Sequence, residues 1–169
     1  SGVVATDTTG VGTARGYVAG VSYGGDKALF AYGYTGSNVS MSNLISNLGV
    51  VSADVTGVGT ARGYLAAASY DTDKAIFGYG YNGSANLSMS NLVSNNGIVA
   101  SDVSGVGTAR RQLGAAGYGG DKAIFAYGKA GAFTSIKNLV NSSGVIAADV
   151  TGVGTAREAI AAAGYSISA

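Results

Sequence analysis

Residues 62–81 read Arg-Gly-Tyr-Leu-Ala-Ala-Ala-Ser-Tyr-Asp-Thr-Asp-Lys-Ala-Ile-Phe-Gly-Tyr-Gly-Tyr. A short apolar run ends at Tyr70, a polar tip covers residues 71–74, and an aromatic-rich run follows, which is the pattern of a β-hairpin. Within the second run Phe77, Tyr79 and Tyr81 alternate with Ile76, Gly78 and Gly80, so the two sets are expected on opposite faces. Neither face carries charge, and the strand is therefore expected to be buried on both sides. Downstream, residues 87–94 and 98–103 flank a turn at Asn95-Asn96-Gly97 and read as a third and a fourth strand. Met89, Leu92 and Val93 have helical spacing. Strand is nevertheless favoured, because the segment is short and its serines and asparagines prefer caps and turns.

The same hairpin recurs along the whole chain. Gly-Val-Gly-Thr-Ala-Arg stands at residues 10–15, 57–62, 105–110 and 152–157, a period of 47 or 48 residues. Asp7, Asp54, Asp102 and Asp149 keep that period, as do Tyr23, Tyr70, Tyr118 and Tyr165 and the Asp-Lys pairs that begin at Asp26, Asp73 and Asp121. Near-identical units at such a period point to a repeat architecture in which each unit buries its faces against its neighbours. Four short antiparallel strands per unit predict an all-β, β-propeller-like array of four-stranded blades. A single repeat domain over 1–169 divides into units 15–61, 62–109 and 110–156, with partial units 1–14 and 157–169. The partial units hold a lone fourth strand at 2–7 and a lone first strand at 158–165, making about three and a half units per chain. An open array exposes apolar faces and strand edges. The expected partner is accordingly a second copy of the chain or the remainder of a larger parent protein. The last residues, 165–169, break the Tyr-Gly-Gly-Asp-Lys rule and read as a capping terminus, whereas the opening at Ser1 reads as a cut.

Arg62, the small-residue strand Ala66-Ala67-Ala68 and the run Lys74-Ala75-Ile76-Phe77-Gly78-Tyr79-Gly80 with its polar loop resemble a kelch repeat. The resemblance extends over the three complete copies, with glycine-aromatic alternation in place of the kelch double glycine and no tryptophan. It implies a β-propeller. The Gly/Tyr-rich copies are also similar in style to repeats of bacteriophage tail-fibre and appendage proteins, which implies an extracellular or virion-surface setting.

Composition narrows the chemistry. The chain of 169 residues has no histidine and no cysteine, so the commonest general base, the thiol nucleophile and the usual transition-metal ligands are missing. A copper centre of the kind the kelch resemblance suggests is ruled out on the same ground, and no cofactor or metal is expected. Net charge is +1 with the basic residues scattered singly, which gives no footprint for nucleic acid. No apolar run long enough for a membrane helix occurs, and membrane insertion is not expected.

Carboxylates remain, and a carboxylate-dependent glycosidase is the enzymatic alternative. The repeated aspartates are more simply read as turn caps that bond nearby backbone N–H groups. Asp71 and Asp73 form the one close acid pair, too few ligands for a calcium site. Arg15, Arg62, Arg110 and Arg157 each follow a repeated aspartate by eight residues. That spacing suggests a repeated Asp–Arg clasp, with an anion-binding ring of arginines as the alternative.

Positions that differ between copies are better candidates for specificity. Tyr34, Tyr81 and Lys129 correspond, as do Gly16-Tyr17, Gly63-Tyr64, Arg111-Gln112 and Glu158-Ala159. The loop after the second strand varies most. It supplies the candidate ligand-binding residues Tyr34, Asn38, Tyr81, Asn82, Asn86, Lys129 and Phe133, with a glycan as the candidate ligand, since such loops can stack on sugars and bond hydroxyls. Asn38, Asn82, Asn86 and Asn141 each begin an Asn-X-Ser sequon. The expectation is a non-catalytic structural or adhesive module, with a lectin as the alternative.

Overall fold

The structure, a computed structural model, describes residues 6–164, and every regular element among them is a β-strand. Three antiparallel sheets follow one another along the chain. The first contains β1 (Ala19–Tyr23), β2 (Lys27–Ala31) and β3 (Ser42–Ile45); the second β4 (Ala66–Tyr70), β5 (Lys74–Gly78) and β6 (Ser90–Val93); the third β7 (Gly114–Tyr118), β8 (Lys122–Ala126) and β9 (Lys137–Val140). Each is a meander with the middle strand paired on both sides. The hairpin expected at residues 62–81 is present, with Tyr70 opposite Lys74 and Ala66 opposite Gly78. Ser90–Val93 is extended, so the serines and asparagines outweigh the helical spacing of Met89, Leu92 and Val93.

The expected four-stranded unit is corrected to three strands. Residues 98–103 meet β6 at only two isolated bridges, Val93 with Val99 and Ser90 with Val103. Because Val99 to Val103 is one residue longer than Ser90 to Val93, the segment bulges and no ladder forms. The Asn91 amide fills the gap, donating to the Ala100 carbonyl and to Asp102 Oδ1, both at 2.9 Å. The lone first strand expected at 158–165 is corrected as well, since residues 158–164 carry no strand and Tyr165 lies outside the described residues. The lone fourth strand expected at 2–7 falls mostly outside the described residues.

The sheets stack face to face and lie closest along their first strands, β1 against β4 and β4 against β7. One core joins the first and second sheets through Leu29, Ala31, Tyr32, Ala75, Phe77 and Val93. A second joins the next pair through Ile76, Tyr79, Ala123, Phe125, Val140 and Ile146. Backbone bonds cross between sheets as well, from Gly33 N to the Arg62 carbonyl at 3.0 Å and from Gly80 N to the Arg110 carbonyl at 2.9 Å. At the end of β5 the packing is close, since a Cβ at Gly78 would sit 2.8 Å from Cζ of Phe125, whereas Ala31 and Ala126 stand at the equivalent positions of β2 and β8.

Two-sided burial of the recurring strand and the alternation of its aromatic residues each fail at one place, for physical reasons. Phe77 and Phe125 are fully buried, but Phe30, at the equivalent position, is 44% exposed. The first sheet covers Phe77 and the second covers Phe125, whereas among the described residues no sheet covers Phe30. Tyr79 does not share a face with Phe77. Its φ of +64° ends the alternation and turns the ring to the other side of the sheet, where it meets Phe125 edge-on at 5.3 Å. Tyr32 and Tyr127 have the same left-handed conformation.

The repeated charged residues join the copies. Asp102 does not cap its own turn; it accepts from Thr60 N at 3.0 Å, Thr60 Oγ1 at 2.7 Å and Asn91 Nδ2 at 2.9 Å, which fixes the Gly-Val-Gly-Thr loop of the preceding copy. Asp54 and Asp149 hold Thr13 and Thr108 in the same way. The arginine beside Asp102 is Arg62, 3.9 Å away and ahead of it in sequence, rather than the Arg110 that follows it by eight residues. Arg62 is wholly buried. Its guanidinium donates to the carbonyls of Tyr79 and Thr60 and to Asn91 Oδ1 at 2.6–3.0 Å. It also lies over the Tyr32 ring of the preceding sheet, 4.2 Å from the centroid. Arg110 over Tyr79 and Arg157 over Tyr127 repeat that stacking.

Candidate functional site

Tyr17, Tyr64 and Gln112 stand two residues ahead of β1, β4 and β7, Ala159 is their equivalent in the last unit, and all four adopt φ between 54° and 57°. Tyr64 N donates to the Tyr17 carbonyl, Gln112 N to that of Tyr64 and Ala159 N to that of Gln112. These residues thus form a column that climbs the stack one residue per unit, linked at 2.9–3.2 Å. The rings of Tyr17 and Tyr64 stack with centroids 3.9 Å apart.

A second column runs beside the first. Bridges join Gly16 to Tyr34, Gly63 to Tyr81 and Arg111 to Lys129. Tyr34 lies 6.4 Å from Tyr17 at a tilted angle. The Arg111 guanidinium lies over the Tyr81 ring at 4.6 Å, and the Lys129 ammonium lies 5.6 Å from the Phe133 centroid. Together the two columns make a ridge of aromatic rings and cations along one edge of the stack, with Tyr17, Tyr34 and Phe133 exposed.

The seven residues chosen from sequence therefore divide. Tyr34, Tyr81, Lys129 and Phe133 share the ridge. Asn82 is used locally, its Oδ1 accepting from Ser84 N and Ala85 N to close the loop. Asn86 turns inward and donates to the Lys129 carbonyl at 3.1 Å; its Oδ1 is buried with no partner. Asn38 also lies between units, beside Gly63 and Gly83. Of the four sequon asparagines, Asn82 and Asn141 are exposed and Asn38 and Asn86 are half-buried. Sequence reasoning placed Tyr17, Tyr64, Arg111 and Gln112 among the variable positions but not in the site. Their variation was visible, whereas the left-handed backbone that groups them with the loops is not encoded by any glycine.

Electrostatics separate this ridge from the repeated acids. Hydrogen bonds from Thr13 and Asn43 hold the Asp54 carboxyl below its usual range. Burial works against ionisation of Asp102 and Asp149, but the hydrogen bonds from Thr60 and Asn91, and from Thr108 and Asn138, outweigh it and lower both pKa values. Burial pushes the phenols of Tyr32 and Tyr79 upward, so both stay neutral beneath their arginines. Asp71 is paired with Lys74 at 2.6 Å, and no group of three or more acidic residues assembles among the described residues. No family model matches the sequence, and no curated protein matches it either.

Proposed function

We propose that the chain is a non-catalytic structural or adhesive repeat module, its sheets acting as blades of a kelch-like, β-propeller-like array. Convergence of the sheets along their first strands supports that reading, because blades around an axis approach most closely at their inner strands. The observation that carries the functional part is the use of the repeated charges. Asp102 and Arg62 direct their hydrogen bonds to Thr60, Asn91 and Tyr79, which leaves neither of them open to a substrate. A virion or cell-surface appendage is the setting suggested by the style of the repeats.

A lectin is the second reading, favoured by the exposed rings of the Tyr17–Tyr34–Phe133 ridge, which can stack on sugar faces. The deciding experiment pairs a glycan array and a glycosidase assay with Asp102→Ala and with Tyr34→Ala. A structural module loses stability in the first variant and shows turnover in neither. If Asp102→Ala stays fully stable but abolishes a hydrolytic activity of the parent chain, the module reading is wrong.

A further inference from the structure

The outer face of the first sheet is built like faces that elsewhere in the molecule are covered. Phe30 is 44% exposed, while Phe77 and Phe125 at the same position are sealed by a preceding sheet. Arg15 lies at the position where Arg62, Arg110 and Arg157 each stack on a tyrosine ring. No ring lies over Arg15 among the described residues, and its buried Nε has no partner, whereas the Nε atoms of Arg62 and Arg110 donate to the carbonyls of Tyr79 and Tyr127 at 2.9 Å. A cleft lined by Arg15, Val18, Phe30 and Val50 opens there.

At the other end, the outer face of the third sheet offers the complement. Gly114, Ala116 and Ala126 correspond to Ala66, Ala68 and Gly78 of the second sheet, on which the third sheet packs. Residues 157–164 lie across that face without forming a strand. Arg157 stacks on Tyr127 at 4.3 Å, Gly128 N bonds the Arg157 carbonyl, and Ile160 rests against Gly114. Beyond Ile160, residues 161–164 are exposed.

We propose that the first sheet of one copy docks head to tail on the third sheet of a second copy, displacing that copy's residues 157–164. The proposal rests on the structural-module reading and names its partner. Arg15 would take the place of Arg157 over Tyr127, Tyr17 N that of Ala159 N on the Gln112 carbonyl, and Phe30 would close over Ala126. A cation without a ring facing a ring that Arg157 vacates, and an exposed phenylalanine facing a small-residue strand, are the matched features. The tips gain a contact too. Gly24 N donates to the Asp73 carbonyl and Asp71 N to that of Asp121; among the described residues Gly119 N has no such bond, and the Asp26 carbonyl of the docked copy would supply it. Such a contact uses two different surfaces, so it propagates into a ring or a filament.

The chain has no cysteine, which allows a clean test with single-cysteine variants of the full chain. Phe30→Cys and Ala126→Cys, mixed and treated with a short bis-maleimide, should yield a cross-linked heterodimer, and neither variant alone should cross-link. In sedimentation, Phe30→Glu should weaken association at least tenfold and removal of residues 157–169 should strengthen it at least tenfold. A full chain that stays monomeric to high micromolar concentration without cross-linking overturns the proposal, as does preferential cross-linking of Phe30→Cys to itself. Should the shortened chain fail to fold, the full-length cysteine pair still decides. Enzymatic turnover or glycan capture measured on the same preparation tests the module reading separately, so a folded, inert monomer overturns the docking alone.

Discussion

The Asp102 carboxylate holds the backbone N–H and the hydroxyl of Thr60, which lies 42 residues earlier in the chain. The bond therefore closes a loop about as long as one repeat, and each copy is locked by the next copy's aspartate. Asp102→Ala removes the acceptor of the Thr60 amide and hydroxyl, which lie at an exposed site, and of one part-buried Asn91 N–H. The expected loss is about 1–3 kcal/mol, read from urea unfolding midpoints at constant m-value.

Arg62 and Arg15 provide a comparison within one molecule. Arg62 is fully buried beneath Tyr32, and lysine cannot reproduce its fork of donors or its flat stacking face. Arg62→Lys should cost about 1.5–3 kcal/mol, and Arg15→Lys clearly less, since Arg15 carries no ring. Equal losses in the two variants, measured by chemical denaturation, would show that the tyrosine contributes nothing.

Asp54, Asp102 and Asp149 all have pKa values below the ordinary carboxylate range in the folded chain. The unfolded chain then binds protons more readily, so their contribution is fully present above the unfolded value of about 4. It is lost as pH falls through the lowered folded values. Unfolding midpoints should hold between neutral pH and pH about 5 and drop steeply below pH about 4. In Asp102→Asn the acid-side slope should be shallower; a profile unchanged by that substitution would sink the assignment.

Much of this is legible in the sequence because it depends on local pattern. The hairpin at Tyr70–Lys74 and the burial of Phe77 follow from alternation and turn chemistry. The lack of a fourth strand is not legible, because residues 98–103 have a strand-like sequence; what denies them a ladder is one surplus residue and the Asn91 side chain that occupies the gap. The face of Tyr79 is not legible from alternation, because its left-handed φ is unusual for a bulky residue and rests on packing against Arg110 and Phe125. The partner of Asp102 was missed since Thr60 is near it only after the sheets stack. In the candidate site, the loop residues Tyr34, Tyr81 and Phe133 were visible through variation, while the neighbouring Tyr17 column depends on backbone bonds between units.

The second hairpin tip carries a correctable strain. Asp71 and Thr72 have φ of 47° and 56°, where the other two tips have paired glycines with φ between 60° and 81°. A β-branched residue is poorly suited to that region, which costs an L-residue about 1–2 kcal/mol. Thr72→Gly should therefore stabilise the chain by up to about 1 kcal/mol after the entropy cost of glycine, seen as a higher thermal midpoint. Asp71→Gly should gain less, since it also gives up the exposed pair with Lys74.

Substitutions on the ridge should separate presentation from folding. Tyr34 and Phe133 are exposed and make few internal contacts, so Tyr34→Ala and Phe133→Ala should change stability by no more than about 0.5 kcal/mol. Tyr17→Ala should cost somewhat more, because it removes a ring stacked on Tyr64. If the ridge receives a glycan or a partner, the same three variants should weaken that binding at least tenfold while Asp102→Ala leaves it intact in the folded protein. Calorimetry or surface capture on matched, folded samples supplies the comparison. Binding that survives all three ring deletions would place the contact elsewhere and remove the ridge as the adhesive surface.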